Sequence, residues 1–409
     1  MVFDSKALGS DNAETAHVAP RAVRAFLLAF LTPCIVAFLI GGFSLAVLYS
    51  NLEYVGPREA AEIQHDRGGL YGSALFYRPL PYKLELYSLT NADVAIVGSS
   101  RAMPFIQAGF AVPMVNLGGA VNEMVDAGPV FHQMIAAHKP RTIIFVLDFW
   151  WFNKERAEAP TEFSAEAKTE FSVADLIAPY EWLSAGTITP TGIVRALFGK
   201  QGEAPRIGVW ANQNSAGFDG AGAYHYGAML TGLAVHDDIK FKSTLKRLRK
   251  HSRDSKLAVD VAFSDQAWSQ LVEVSELLQK AGIDVRFVLP PIAGAVLREI
   301  DADSETSLLR ILRSRLSSLR QPVYDFTDPA TLGANDCEFV DGLHAGFVTY
   351  LRILQAMRPD VERAPDMANI LQPPEVLARM IAENAGRATL KSEDPLSPEV
   401  DFLELGCKK

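Results

Sequence analysis

From Ala25 to Ser50 the chain reads AFLLAFLTPCIVAFLIGGFSLAVLYS, and no charged residue interrupts it between Arg24 and Glu53. A helix over this run, rising about 1.5 Å per residue, is longer than the ~30 Å hydrocarbon core of a bilayer. A secretory signal has a shorter apolar region and a small-residue cleavage site, whereas this run ends in Leu48, Tyr49 and Ser50 without one. The length therefore predicts an uncleaved, single-pass membrane anchor over residues 25–50, with a cleaved signal and a buried globular helix as rival readings. Lys6, Arg21 and Arg24 precede the run. By the positive-inside tendency they keep residues 1–24 in the cytoplasm, which puts everything after about Asn51 on the outer, periplasmic side of the inner membrane. Arg58 and Arg67 beyond the run, and Asp4 and Asp11 before it, pull the other way.

The chain has 409 residues, 49% of them hydrophobic, enough for one large core and a smaller accessory layer. The formal charge is -9, and the Lys and Arg residues read as dispersed. Both points weigh against a nucleic-acid partner, because phosphate binding requires clustered cations. Of the three cysteines Cys34 lies in the apolar run, so only Cys337 and Cys407 can pair outside a membrane. Neither the cysteines nor the eight histidines form a set of ligands at short, regular spacing, and the reading includes no metal and no cofactor.

From Asp93 onward short apolar runs alternate with amphipathic helical patterns, the signal of an α/β fold with a doubly wound parallel sheet. Strands are expected at Val94–Gly98, Pro113–Leu117, Thr142–Leu147, Val285–Leu289 and Val323–Phe326. Helices at Val121–His138, Ser264–Ala281 and Ser304–Leu319 are long enough for the crossovers that parallel strands require. The pattern gives a main domain over 93–358, preceded by a linker over 51–92. Its regularity breaks over 150–263, read as a large insertion at the functional end of the sheet, where it forms either a lid or acceptor wall, or a decoration away from the site. Residues 359–409 read as a short helix after Pro373 and Pro374 and a mobile acidic tail from Ser392.

The first strand ends abruptly in Gly98, Ser99, Ser100 and Arg101. Glycine permits a tight turn there, and backbone N–H groups at the start of the following helix can stabilise an oxyanion beside the serine oxygen. Taken alone the turn is a weak signal and reads more readily as a helix cap. Near the end of the chain stands Asp341-Gly342-Leu343-His344, followed by a helical pattern from Ala345 to Met357. A serine hydroxyl is a poor nucleophile until a base removes its proton, and that base needs a carboxylate to fix its tautomer. The D-x-x-H turn supplies both, or else Asp341 caps the helix and His344 faces solvent.

The strand-end G-S-S and the terminal D-x-x-H together resemble the SGNH (GDSL-like) hydrolase superfamily, over roughly Asp93 to Met357 with the insertion excluded. The resemblance is nearest to membrane-anchored members that accompany alginate O-acetylation and teichoic acid D-alanylation. It implies a flavodoxin-like three-layer sandwich, with Ser100 as nucleophile, His344 as base and Asp341 orienting it. In the family's second block Val115, Asn116, Leu117, Gly118 and Gly119 correspond. This implies an oxyanion hole from the amides of Ser100 and Gly118, with Gly119 as second choice; without the resemblance the pair is a turn after a strand.

Two departures stand out. Ser99 replaces the family's Asp, and the third-block asparagine is absent, the strand running instead into Asp148, Phe149, Trp150, Trp151, Phe152 and Asn153. An ionised Asp148 would repel an oxyanion, so it must be protonated, turned away or used to bind an acceptor, with Asn153 as a substitute donor or substrate contact. Trp150, Trp151 and Phe152 either stack on sugar faces or pack the insertion against the sheet. Arg101 either grips a carboxylate or phosphate of the substrate or makes an internal ion pair. Pro290 and Pro291 suggest a rigid loop, and Tyr224-His225-Tyr226 stands alone as a weak ligand motif.

The resemblance thus implies an extracytoplasmic serine esterase or O-acyltransferase for an acylated cell-envelope polysaccharide, with a membrane-bound O-acyltransferase as a partner. A degenerate SGNH fold that binds glycan or serves as an assembly subunit is the alternative. A phosphate site at Gly98–Arg101 is a third reading.

Overall fold

The structure, a computed structural model, describes residues 20–157, 168–199, 204–233, 236–249, 261–301, 307–362, 369–393 and 398–409. Most of the segment 1–24, Ser304 to Thr306 of one expected helix, and parts of 150–263 lie outside the described residues.

Helix α1 (Pro20–Ser50) contains the uncharged run. It is long and apolar enough to cross a bilayer over Val23–Ser50; its most apolar part is not buried in the protein, whereas Ser44, Val47 and Leu48 near its end are. Its last turns lead into α2 (Pro57–Arg67), the short strand β1 (Leu70–Tyr71) and α3 (Leu80–Leu89). The main sheet then begins with β2 (Val94–Gly98) and β3 (Met114–Gly118), continues through α4 (Met124–Ala137) to β4 (Thr142–Val146), and reaches α5 (Lys154–Ala157). Next come α6 (Ala178–Ser184), α7 (Pro190–Phe198), β5 (Arg206–Ile207), α8 (Val209–Asn214), β6 (Gly217–Phe218), β7 (Tyr224–His225) and α9 (Lys242–Arg249). The chain closes with α10 (Asp265–Lys280), β8 (Asp284–Leu289), α11 (Gly294–Asp301), α12 (Leu308–Leu316), β9 (Val323–Asp325), α13 (Phe347–Glu362) and α14 (Pro374–Asn384).

The five-stranded sheet has the order β3-β2-β4-β8-β9, and every neighbouring pair is parallel. Its strands lie at the expected positions to within a residue or two. Each of β2, β3 and β4 is buried along its whole length, so these strands read as continuous apolar runs, without the alternation of a half-exposed sheet. Helix α10 starts where Ser264 Oγ accepts from the Ala267 N–H at 3.1 Å, and it buries Leu271, Val274 and Leu278 along one stripe. The chain moves from β2 to β3 and then back across β2 to β4. The strand order therefore reverses at β2, which opens a crevice at its carboxyl end.

Two sequence expectations are corrected here. Residues 51–92 do not form a linker: Tyr71, Tyr82, Leu86 and Tyr87 are core side chains, and β1 joins a second sheet of order β5-β1-β6-β7. The pairing of β1 with β5 and β6 merges this segment with residues from 150–263 into one layer. Nor is the described end of the chain loose. Phe402 and Leu403 are buried, Cys337 and Cys407 form a disulfide, and Lys409 Nζ donates to the Cys337 carbonyl at 2.7 Å.

Candidate active site

The turn after β2 is tight because backbone passes close by: a Cβ at Gly98 would lie 2.8 Å from the Val146 carbonyl oxygen. Ser99 Oγ accepts from the Arg101 N–H at 3.2 Å and caps the single helical turn Ser100–Ala102. This holds Ser100 half-buried at the crevice opened by the strand reversal.

The partner loop arrives from the far end of the sequence. Ser100 Oγ lies 2.8 Å from His344 Nε2, and His344 Nδ1 lies 2.8 Å from Asp341 Oδ2 and 2.9 Å from Oδ1. Asp341 Oδ1 also accepts the N–H groups of Leu343 and His344, at 2.8 and 2.9 Å. Burial pushes the Asp341 carboxyl up, but the facing His344 and these donors outweigh it and hold the group well below the usual carboxylate range. Asp341 thus stays ionised opposite the imidazole, and Nε2 is left to face the hydroxyl.

Arg101 lies behind Ser100. Its guanidinium donates to Leu343 O at 3.0 Å, to Asp148 Oδ1 at 3.0 Å, and to Pro290 O and Pro291 O at 2.8 and 2.7 Å. The side chain is 1% exposed and that of Asp148 is 0% exposed. Three strand-end loops and the D-x-x-H loop are therefore clamped together by one cation. The expectation that Arg101 and Asp148 contact substrate is corrected: each is sealed from the cleft by the other. The phosphate reading of Gly98–Arg101 loses its cation for the same reason.

Asn153 also lies elsewhere. It is buried, its Oδ1 accepts from the Glu155 N–H at 3.0 Å, and its backbone bridges to Phe263. Trp151 and Phe152 are fully buried and Trp150 nearly so, with the Trp150 ring 5.3 Å from the Arg101 guanidinium carbon. They pack the core and present no sugar-stacking face.

The oxyanion expectation divides. Ser100 heads its helical turn, where the first N–H groups have no intrahelical acceptor, and it borders the cleft. The Gly118 N–H instead donates to Asn116 Oδ1 at 2.7 Å, and the Gly119 N–H donates to Gly98 O at 2.9 Å. Asn116 Nδ2 also reaches the carbonyls of Ala102, Met103 and Phe105 at 2.8 to 3.1 Å. Asn116 therefore orders the chain beyond Ser100 while occupying the amide that the resemblance assigns to the oxyanion.

Ser100, His344 and Asp341 open into a cleft of about 730 Å³, within the range of small-molecule sites. Tyr71, Phe76, Tyr77, Trp210, Phe218, Tyr224 and Tyr226 contribute aromatic side chains to its wall. These residues come from the segments before and after the first strands of the main sheet. Tyr224 and Tyr226 of the isolated motif thus face the cleft, while His225 pairs with Asp219 at 3.1 Å.

No family model matches the chain, and no curated protein matches it.

Sequence reasoning missed Asp238. This buried carboxylate accepts from the Thr244 N–H and hydroxyl at 2.9 and 2.7 Å and from the Gly342 N–H at 2.9 Å, bracing the D-x-x-H loop against α9. A lone Asp in an irregular stretch carries no local signal of such a role. The cations are not all dispersed either: α9 reads KSTLKRLR, and its Arg247 lines the cleft.

Proposed function

We propose that this chain is a membrane-anchored, extracytoplasmic serine esterase or O-acyltransferase of the SGNH type, acting on an acylated cell-envelope polysaccharide. The observation that carries the reading is the unbroken hydrogen-bonded sequence from Ser100 Oγ through the His344 ring to Asp341 beside an aromatic-walled cleft. As Ser100 Oγ bonds to the acyl carbon of an ester, His344 Nε2 takes the hydroxyl proton and Asp341 steadies the imidazolium. The ester C–O bond then breaks, His344 returns the proton to the departing alcohol oxygen, and the acyl group remains on Ser100. A water or a sugar hydroxyl repeats the sequence in reverse, with His344 again as base. The Ser100 amide is the available oxyanion donor.

Aromatic faces suit sugar rings, and α1 would hold the cleft beside a membrane-bound O-acyltransferase that supplies acyl groups. The Cys337–Cys407 disulfide supports an oxidising compartment, hence the outer side of the membrane. The test is labelling of the full chain with a fluorophosphonate, alongside turnover of a chromogenic acetyl ester. The parent should react and Ser100→Ala should not; equal signals from both would refute the assignment.

One observation favours a second reading, a catalytically idle glycan-binding or assembly subunit. With the Gly118 and Gly119 amides both committed to internal acceptors, the oxyanion site has fewer donors than an efficient acyl-transfer enzyme uses. Glycan binding that survives Ser100→Ala with an unchanged envelope phenotype would select it.

A further inference from the structure

We propose that the segment Phe171–Phe198 is a second membrane contact, seated in the interfacial layer of the bilayer around the outer end of α1. The proposal rests on the reading of α1 as a membrane anchor. Helices α6 and α7 do not pack on the main sheet's core but along the last turns of α1. The Tyr180 hydroxyl donates to Ile40 O at 2.7 Å, and the rings of Tyr180 and Phe43 lie 5.2 Å apart. Val47 is buried in a small separate cluster with Ile188, Ile193 and Val209.

The depth of this contact follows from length. A ~30 Å hydrocarbon layer takes about 20 helical residues, so a span entered at Arg24 leaves the layer near Ser44. Ile40 and Phe43 then sit in the last turn inside hydrocarbon, and the helix that touches them sits at the boundary. Tyr180, against Ile40 and Phe43, and Trp182, packed on the Val47 cluster, are amphipathic rings of the kind that collect at that boundary.

The segment exposes several large apolar side chains among polar ones such as Glu181, Thr191 and Arg195. Val173 is 81% exposed, Ile177 58%, Val194 58%, Leu197 41% and Phe198 82%. A helix bathed in water turns such side chains inward; a set left outward beside a membrane helix is satisfied by lipid. Glu170, Asp175 and Glu181 outnumber Lys168 and Arg195 among the described charges of this region, so insertion of apolar side chains, and not attraction to anionic headgroups, holds it there. The wall of the cleft adjoins this layer: Trp210 packs on the same cluster, and cleft-lining Ser73 donates to Glu53 at 2.5 Å, three residues beyond α1. The contact therefore fixes the cleft at the membrane surface.

The test uses the full chain in phosphatidylcholine vesicles, with an environment-sensitive fluorophore on single cysteines and lipids brominated along the acyl chain as quenchers. One label sits on the native Cys34 of α1. In a Cys34→Ser background others sit at Val173→Cys, Val194→Cys and Phe198→Cys, with Ser318→Cys as an aqueous control. We expect brominated lipid to reduce fluorescence about twofold or more at Cys34 and at the three segment positions, and to leave Ser318→Cys unchanged. Quenching at Cys34 but at none of the segment positions would overturn the proposal and leave the anchor standing. Energy transfer between labelled copies without lipid quenching would assign the face to a second copy of the chain and overturn it too. An unquenched Cys34 would remove the anchor and the proposal together.

Discussion

Arg101 and Asp148 meet at 3.0 Å with both side chains closed to water, one residue behind the proposed nucleophile. Breaking a buried pair from one side strands the other charge, at a cost of about 3–5 kcal/mol. We therefore expect Asp148→Asn and Arg101→Met each to lower the denaturant midpoint by about that stability difference and to reduce ester turnover through misplacement of Leu343 and His344. A midpoint equal to that of the parent would show that the pair does not clamp the loops.

Asp341→Asn should leave a folded protein whose imidazole lacks its orienting charge. Turnover of an acetyl ester is expected to fall about 10³–10⁴-fold with little change in KM, as when a triad carboxylate is neutralised. The same variant tests stability against pH. Asp341 is held below its ordinary value of 3.8, so its stabilising contribution is present above that pH and is lost as pH falls through the lower folded value. Acid melts of Asp341→Asn should thus be flatter than those of the parent below about pH 4.

Glu53 works in the opposite sense. It is fully buried just beyond α1, accepting from the Ser73 hydroxyl, the Leu75 N–H at 2.7 Å and the Val209 N–H, and burial raises its carboxyl from 4.5 to about 7. Between those values the folded chain keeps a proton that the unfolded chain has released. Stability must therefore fall as pH rises from 4.5 to about 7 and level off above, a change of up to about 3 kcal/mol. Melting curves of Glu53→Gln across that range should lose this slope; an unchanged slope would place the titration elsewhere.

Reduction of Cys337–Cys407 opens a loop of 70 residues that contains Asp341 and His344. Chain-entropy arguments give such a cross-link about 4 kcal/mol. Cys337→Ser, or the parent in reductant, should unfold at correspondingly lower denaturant; equal midpoints would mean that buried Phe402 and Leu403 and the Lys409–Glu399 pair hold the tail without the cross-link.

The main sheet was legible because its strands are buried on both faces and so appear as short uninterrupted runs of Val, Ile and Phe. Ser100, Asp341 and His344 were legible as residue types at a strand end and in one turn. What sequence could not convey is which charges meet. Arg101 and Asp148 lie 47 positions apart, and each alone resembles a ligand, because only the folded chain reveals that they cancel. Asn116 looks like part of an oxyanion motif until its side chain is seen to take the Gly118 amide. The layer around β1 escaped notice since strands of two residues have no periodicity and acquire their meaning from distant partners.

Ser100 and His344 are separated by 244 positions. At about 5–20 residues per second, a ribosome needs roughly 10–50 s to travel from one to the other. Helix α1 has long since emerged by then, so delivery of the chain to its destination can be complete before hydroxyl and imidazole first meet. If Ser100 is the nucleophile proposed above, it is made without its base and acquires one only after α1 has left the ribosome.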